Sequence, residues 1–137
     1  PITLTTSGNL TFTGTTTLTG PAHFAVGNAT TSNLQPGLIL SGAVDDGVND
    51  YGLIKSGAGT LLLSGTNTFG AAGRTLDILS GVLAASSDAA LGNASHTVTI
   101  NVGDGNAIRL RHYFWWLVCA ILRRGHRMPH VAGVIFF

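Results

Sequence analysis

The sequence predicts an all-β fold of the solenoid type. Three observations carry this: short runs in which apolar and polar residues alternate, turn residues between nearly all of them, and a triplet that recurs at intervals of about 20 residues. Strand side chains point alternately to opposite faces, so alternation over four or five residues marks a strand with one buried face.

The elements follow in order along the chain. Ile2-Thr3-Leu4-Thr5 and Leu10-Thr11-Phe12-Thr13 place apolar side chains on one face and threonines on the other, and Leu76-Asp77-Ile78 and Val98-Thr99-Ile100-Asn101-Val102 repeat the pattern. Threonine suits the outward face because its β-branch fits a pleated strand and its hydroxyl can meet water. Gly8-Asn9, Gly27-Asn28, Asp46-Gly47, Gly92-Asn93 and Asp104-Gly105 supply turn residues between the runs. Helical periodicity is absent from Pro1 to Val102. Leu-Ser-Gly occurs at 40–42, 63–65 and 79–81, so its spacing is irregular and the second interval is the shorter. Coils of about 20 residues cannot bury an apolar face alone and gain a core only by stacking, and a body of this length holds roughly four or five of them.

Composition bounds the rest. The chain has 137 residues, enough for one domain, of which 9% are charged and 45% hydrophobic, with 19 glycines. Its surface must therefore be built from Thr, Ser, Asn and Gly. Up to Ala107 two cations, Lys55 and Arg74, stand against six acids, whereas from Ile108 onward five arginines (109, 111, 123, 124 and 127) meet no acid. The only cysteine, Cys119, lies in that second part, so the body has no disulfide framework. Two compositions meet near Ile108, and we divide the chain into a body, residues 1–107, and an atypical tail, residues 108–137. Beginning at Pro1 with no secretion signal, the chain reads as a fragment.

The tail holds ten consecutive apolar residues from Tyr113 to Leu122, too few to cross a bilayer, which takes about 20. Trp115, Trp116 and the flanking arginines suit an interfacial or capping segment. Loss of acids, threonines and strand-turn rhythm favours translation out of frame. His126 and His130 have helical spacing, but Pro129 disturbs the helix that would aim them at one metal.

One segment carries a family resemblance. Gly52-Leu53-Ile54-Lys55-Ser56-Gly57-Ala58-Gly59-Thr60-Leu61-Leu62-Leu63-Ser64-Gly65-Thr66-Asn67-Thr68-Phe69 resembles the passenger-associated β-strand repeat of bacterial autotransporters, a pattern near G-L-x-K-x-G-x-G-T-L-x-L-x-G-x-N-x-[YF]. Gly81 and Leu83 match its later G-x-L, and Ser87-Asp88-Ala89-Ala90-Leu91-Gly92 resembles the stretch that commonly follows. The resemblance covers about 40–92. The sequence departs from it at Gly70-Ala71-Ala72-Gly73-Arg74, which puts the register of the next strand in question.

The resemblance implies a right-handed parallel β-helix, a structural stalk of a secreted or surface-displayed passenger at the outer membrane of a Gram-negative bacterium. It implies adhesion or display rather than an enzyme. Its partners are neighbouring β-helix coils, a C-terminal β-barrel translocator outside this sequence, and a host or matrix surface ligand; no nucleic acid, cofactor or metal is expected. The motif residues are read mechanically. Gly57 and Gly59 make a tight corner, Thr60, Leu61 and Leu63 form the strand with both leucines inward, and Gly65 closes it. Asn67 bonds its own coil or stacks on an equivalent Asn, and Phe69 caps the interior.

Competing chemistries are weaker. Gly57-Ala58-Gly59 lacks the third glycine of a dinucleotide fingerprint, having Leu62 there. Asp45, Asp46 and Asp50 could offer oxygen ligands to Ca²⁺ but lack any calcium-loop spacing, so a solvated loop is expected. A polysaccharide lyase or hydrolase on the same fold needs carboxylates set among cations, and neither His23 nor His96 has a cue placing it beside an acid. A non-functional gene fragment is the remaining alternative. Asn9, Asn28 and Asn93 begin glycosylation acceptor triplets, expected by chance in so Thr- and Asn-rich a chain.

Overall fold

The computed structural model describes residues 2–4, 8–27 and 35–100. Over these residues the chain is all-β apart from one 3-10 turn, and every paired strand is parallel to its neighbour. The tail from Ile108 lies outside the described residues, as does Asp104-Gly105.

Eleven short strands form three sheets that the chain visits in turn. The first sheet holds β1 (Ile2–Leu4), β4 (Ala22–Val26), β7 (Leu53–Ser56), β9 (Thr75–Ile78) and β11 (Thr97–Ile100) side by side in that order. The second holds β2 (Leu10–Phe12), β5 (Pro36–Leu40), β8 (Thr60–Leu63) and β10 (Val82–Ala85). The third pairs β3 (Thr16–Thr17) with β6 (Val44–Asp45). Each return to a sheet lays a strand beside the one left a pass earlier.

Register sets the length of a pass. Leu53 pairs with Leu76 and Leu38 with Leu61, and the next pass, from Leu76 to Val98 and from Leu61 to Leu83, is shorter by a single position. The step from Ala22 to Leu53 is longer than either, the extra residues falling largely in the connection after β4. Leu76 and Ile78 are fully buried in line with Leu53 and Lys55, so the turn at 70–74 leaves the next strand in register.

This geometry explains the uneven Leu-Ser-Gly spacing. Gly42 and Gly65 lie in the same corner of successive passes, after β5 and β8, where a side chain on Gly65 would collide with the Gly42 carbonyl and one on Gly42 with that of Gly14. Ser41, Ser64 and Ser86 line that corner, each donating its backbone N–H to the pass before, to Phe12, Leu40 and Leu63. The third triplet, 79–81, lies one corner earlier, between β9 and β10. Its shorter offset is a change of corner.

The core is a column of inward residues: Phe24, Val26, Leu53, Leu76, Ile78 and Val98 from the first sheet, Leu38, Leu40, Leu61, Leu63, Leu83 and Ala85 from the second, and Val44 with Phe69 towards the third. Ile100 packs against it, partly buried. The two outer faces differ. On the first sheet Thr75 and Thr97 are exposed, while on the second Ile39 and Leu62 are half-buried and Val82 and Ala84 almost wholly buried. On the second sheet outward threonine describes β2, at Thr11, and not the strands that follow. Leu10 and Phe12 occupy core-facing register positions but are 39% and 43% exposed at the β2 edge of the sheet, whereas β10, at the other edge, is buried at every residue.

The alternation makes a sharp contrast between neighbours. Leu61→Ala is expected to cost about 2–5 kcal/mol by leaving a cavity, whereas Leu62→Ala, on the outer face, is expected to cost less than about 1.5 kcal/mol. Urea denaturation midpoints of the two variants check this.

Candidate functional site

The resembling segment, residues 52–69, crosses the three faces of one pass and ends before the return to the first sheet at β9. It enters on β7, turns at Gly57–Gly59, runs along β8, turns again at Gly65, and reaches the third face through Asn67 and Phe69. The first corner is tight: Gly57 has φ of 78°, and a Cβ on it or on Gly59 would collide with the Val26 and Gly27 carbonyls of the preceding pass. Gly59 N–H donates to the Val26 carbonyl at 2.8 Å. Gly52 likewise lies against the backbone of Thr75.

Three buried polar side chains then tie passes together. Asn67, 4% exposed, accepts from Val44 N–H at 2.7 Å and donates through Nδ2 to the Ala90 carbonyl at 2.6 Å. Val44 stands 23 residues before it and Ala90 23 after, so the amide bridges the passes on both sides. Neither neighbour is an asparagine. The expected own-coil bond or amide ladder is replaced by a backbone bridge, since each neighbour presents only main-chain groups there.

Asp46 is the second. It is 3% exposed, and its Oδ2 accepts from Tyr51 N–H at 2.7 Å and from Gly70 N–H at 2.8 Å. The expectation of a solvated loop fails here: one of the three acids is drawn inside because the Gly70 amide of the next pass lacks a strand partner to donate to. Asp45 stays at the surface, accepting from Thr17 Oγ1 at 3.2 Å and Gly47 N–H at 3.3 Å. Asp50 is exposed with φ of 52°.

Lys55 is the third and the least foreseen. It shares the inward parity of Leu53 on β7, is fully buried, and donates to the carbonyls of Ser56 at 2.7 Å, Gly57 at 2.9 Å and Ser80 at 3.1 Å. Burial lowers its pKa from 10.5 to about 8. The sequence did hold a signal, the parity it shares with Leu53, but a lysine is by default a surface residue.

Phe69 is fully buried inside the core, and the His96 ring stacks on it at 5.6 Å between centroids. His96 is itself 1% exposed and fits against Gly70 and Gly92, where a Cβ would crowd its ring. Gly81 ends the corner before β10 in the next pass, and Leu83 is an inward residue of that strand.

One surface pair could carry chemistry. His23 Nε2 lies 2.7 Å from Ser56 Oγ on the outer face of the first sheet. A nucleophilic serine needs the histidine oriented by a third group. The acid in that row, Asp77, pairs with Ile54, which pairs with His23, so it stands two strands or about 10 Å away, and it accepts from Thr75 Oγ1 at 2.9 Å. The pair has the geometry of a surface hydrogen bond. Among the described residues no three His, Cys, Asp or Glu side chains converge as a metal site, and no helix is long and apolar enough to cross a membrane.

Comparison with protein-family models, curated proteins and solved structures returns no match. The functional reading therefore stands on the residues.

Two outcomes follow. Asn67→Ala strands a buried N–H and a buried carbonyl and is expected to cost about 3 kcal/mol, with Asn67→Asp no better at neutral pH because its carboxylate would face the Ala90 carbonyl; calorimetry or urea melts read both. For Lys55, the unfolded chain between pH 8 and 10.5 holds a proton that the folded chain has released, so stability rises with pH across that window. The rise is expected to reach at most about 3 kcal/mol and to be missing from Lys55→Met, so the difference between the two proteins isolates it.

Proposed function

We propose that the chain is a stalk segment of an autotransporter passenger, a right-handed parallel β-helix that serves display or adhesion at the surface of a Gram-negative bacterium. One observation carries the reading: the segment that resembles the passenger repeat, Gly52 to Phe69, runs across all three faces in turn and ends before the turn that brings the chain back to the first sheet at β9. A repeat unit of a solenoid should be one turn of it, and here the motif's glycines fall at the corners and its leucines in the core. Parallel stacking of successive passes, at a step of about 20 residues, supports the same reading.

The function is then mechanical. Buried side chains direct their polar groups to neighbouring passes, leaving the outer faces to meet a ligand or to hold a more distal domain away from the membrane. Export in an extended form suits a body without cysteine.

Surface display tests the proposal. The chain, placed between a secretion signal and a β-barrel translocator in a Gram-negative host, is expected to appear outside, where proteinase K added to intact cells removes exposed loops and leaves a resistant body. Retention inside the cell, or complete digestion at the surface, would contradict it.

A further inference from the structure

We propose that the corner between the first and second sheets is a carbonyl-lined site for an ammonium-type cation, and that Lys55 fills this site with its own side chain. The ammonium has three N–H donors and no acceptor. All three meet backbone carbonyls: Ser56 and Gly57 of its own pass, and Ser80, 25 residues on, in the next. None of these bonds goes to a carboxylate. The site is therefore neutral apart from its occupant, and its oriented carbonyl dipoles offset part of the burial cost that the charge carries there.

The glycines around it are what let the carbonyls converge. Gly57 and Gly81 both have positive φ, 78° and 75°, which turns the peptide groups of the two corners towards each other. A Cβ on Gly81 would stand 2.8 Å from Lys55 Nζ and collide with the Gly57 carbonyl. Two successive corners thus close as a cage around the ammonium group, leaving no room for a side chain at Gly81. The four-carbon stem lies in line with Leu53 along the core, which accounts for a lysine where the alternation calls for an apolar residue.

If the cage is a cation site, it should accept an untethered occupant once the stem is removed. In the full-length chain, Lys55→Ala is expected to melt below the wild type. Its melting temperature should rise saturably with n-propylammonium chloride but not with tetramethylammonium chloride at equal ionic strength, since the latter has no N–H to donate. The wild type should respond to neither. Lys55→Met, which keeps a stem without the charge, should also melt below the wild type and show no rescue. Equal response of wild type and Lys55→Ala, absence of a saturable response, or a Lys55→Met protein as stable as the wild type would each overturn the proposal.

A second measurement does not depend on the variants folding. Lys55 is the only lysine of the chain, so acylation at a lysine reports on it alone. With every donor engaged, the folded protein should acylate Lys55 at least roughly 100-fold more slowly than the chain in denaturant, because reaction must await local opening of the corner. Reaction at the unfolded rate would show that the ammonium is not held.

Discussion

Everything in this structure depends on one constraint: each pass must lay its backbone a single strand spacing, about 4.8 Å, from the pass before. Within the sheets that spacing is met by parallel ladders. At the corners it leaves no room for side chains and no regular partners for main-chain groups. The first consequence is glycine where one corner lies on another, at Gly42 and Gly65 or at Gly57, Gly59 and Gly81. The second is a set of buried polar side chains, Lys55, Asn67 and Asp46, whose hydrogen bonds run to backbone atoms of adjacent passes or of the same corner.

Those side chains differ in kind but serve the same need. A buried N–H or carbonyl without a partner costs about 1–3 kcal/mol, and a strand ladder cannot serve residues that are turning. Asn67 can both accept and donate, so it bridges a stranded N–H on one side to a carbonyl on the other. Asp46 only accepts and gathers two N–H groups; Lys55 only donates and gathers three carbonyls. The polarity of each corner thus selects the residue that fills it.

Much of the fold was legible because it rests on local pattern. The alternation in Leu76-Asp77-Ile78 and Val98-Thr99-Ile100 separates inward from outward residues, and Asp46-Gly47 and Gly92-Asn93 do mark turns. What was not legible depends on neighbours a pass away. Asp45 and Asp46 look alike in sequence, and one of them is drawn inside by the amides of Tyr51 and, 24 residues on, of Gly70. His23 meets Ser56 across 33 residues and an unusually long pass, which no period read from the triplets anticipates. The third face is poorly patterned because Asn67 and Phe69 reach it without forming a strand. Lys55 stands between the two cases: its inward parity was visible, but the carbonyls that make burial tolerable were not.

Side chains close the gaps in the ladder at the corners, and amide hydrogen exchange tests this most directly. The N–H groups of Val44, Tyr51 and Gly70 take side-chain acceptors, Asn67 for the first and Asp46 for the other two. These three amides are expected to exchange as slowly as the ladder amides of β7 and β8. Exchange at the rate of an exposed turn amide, such as that of Val48, would contradict it.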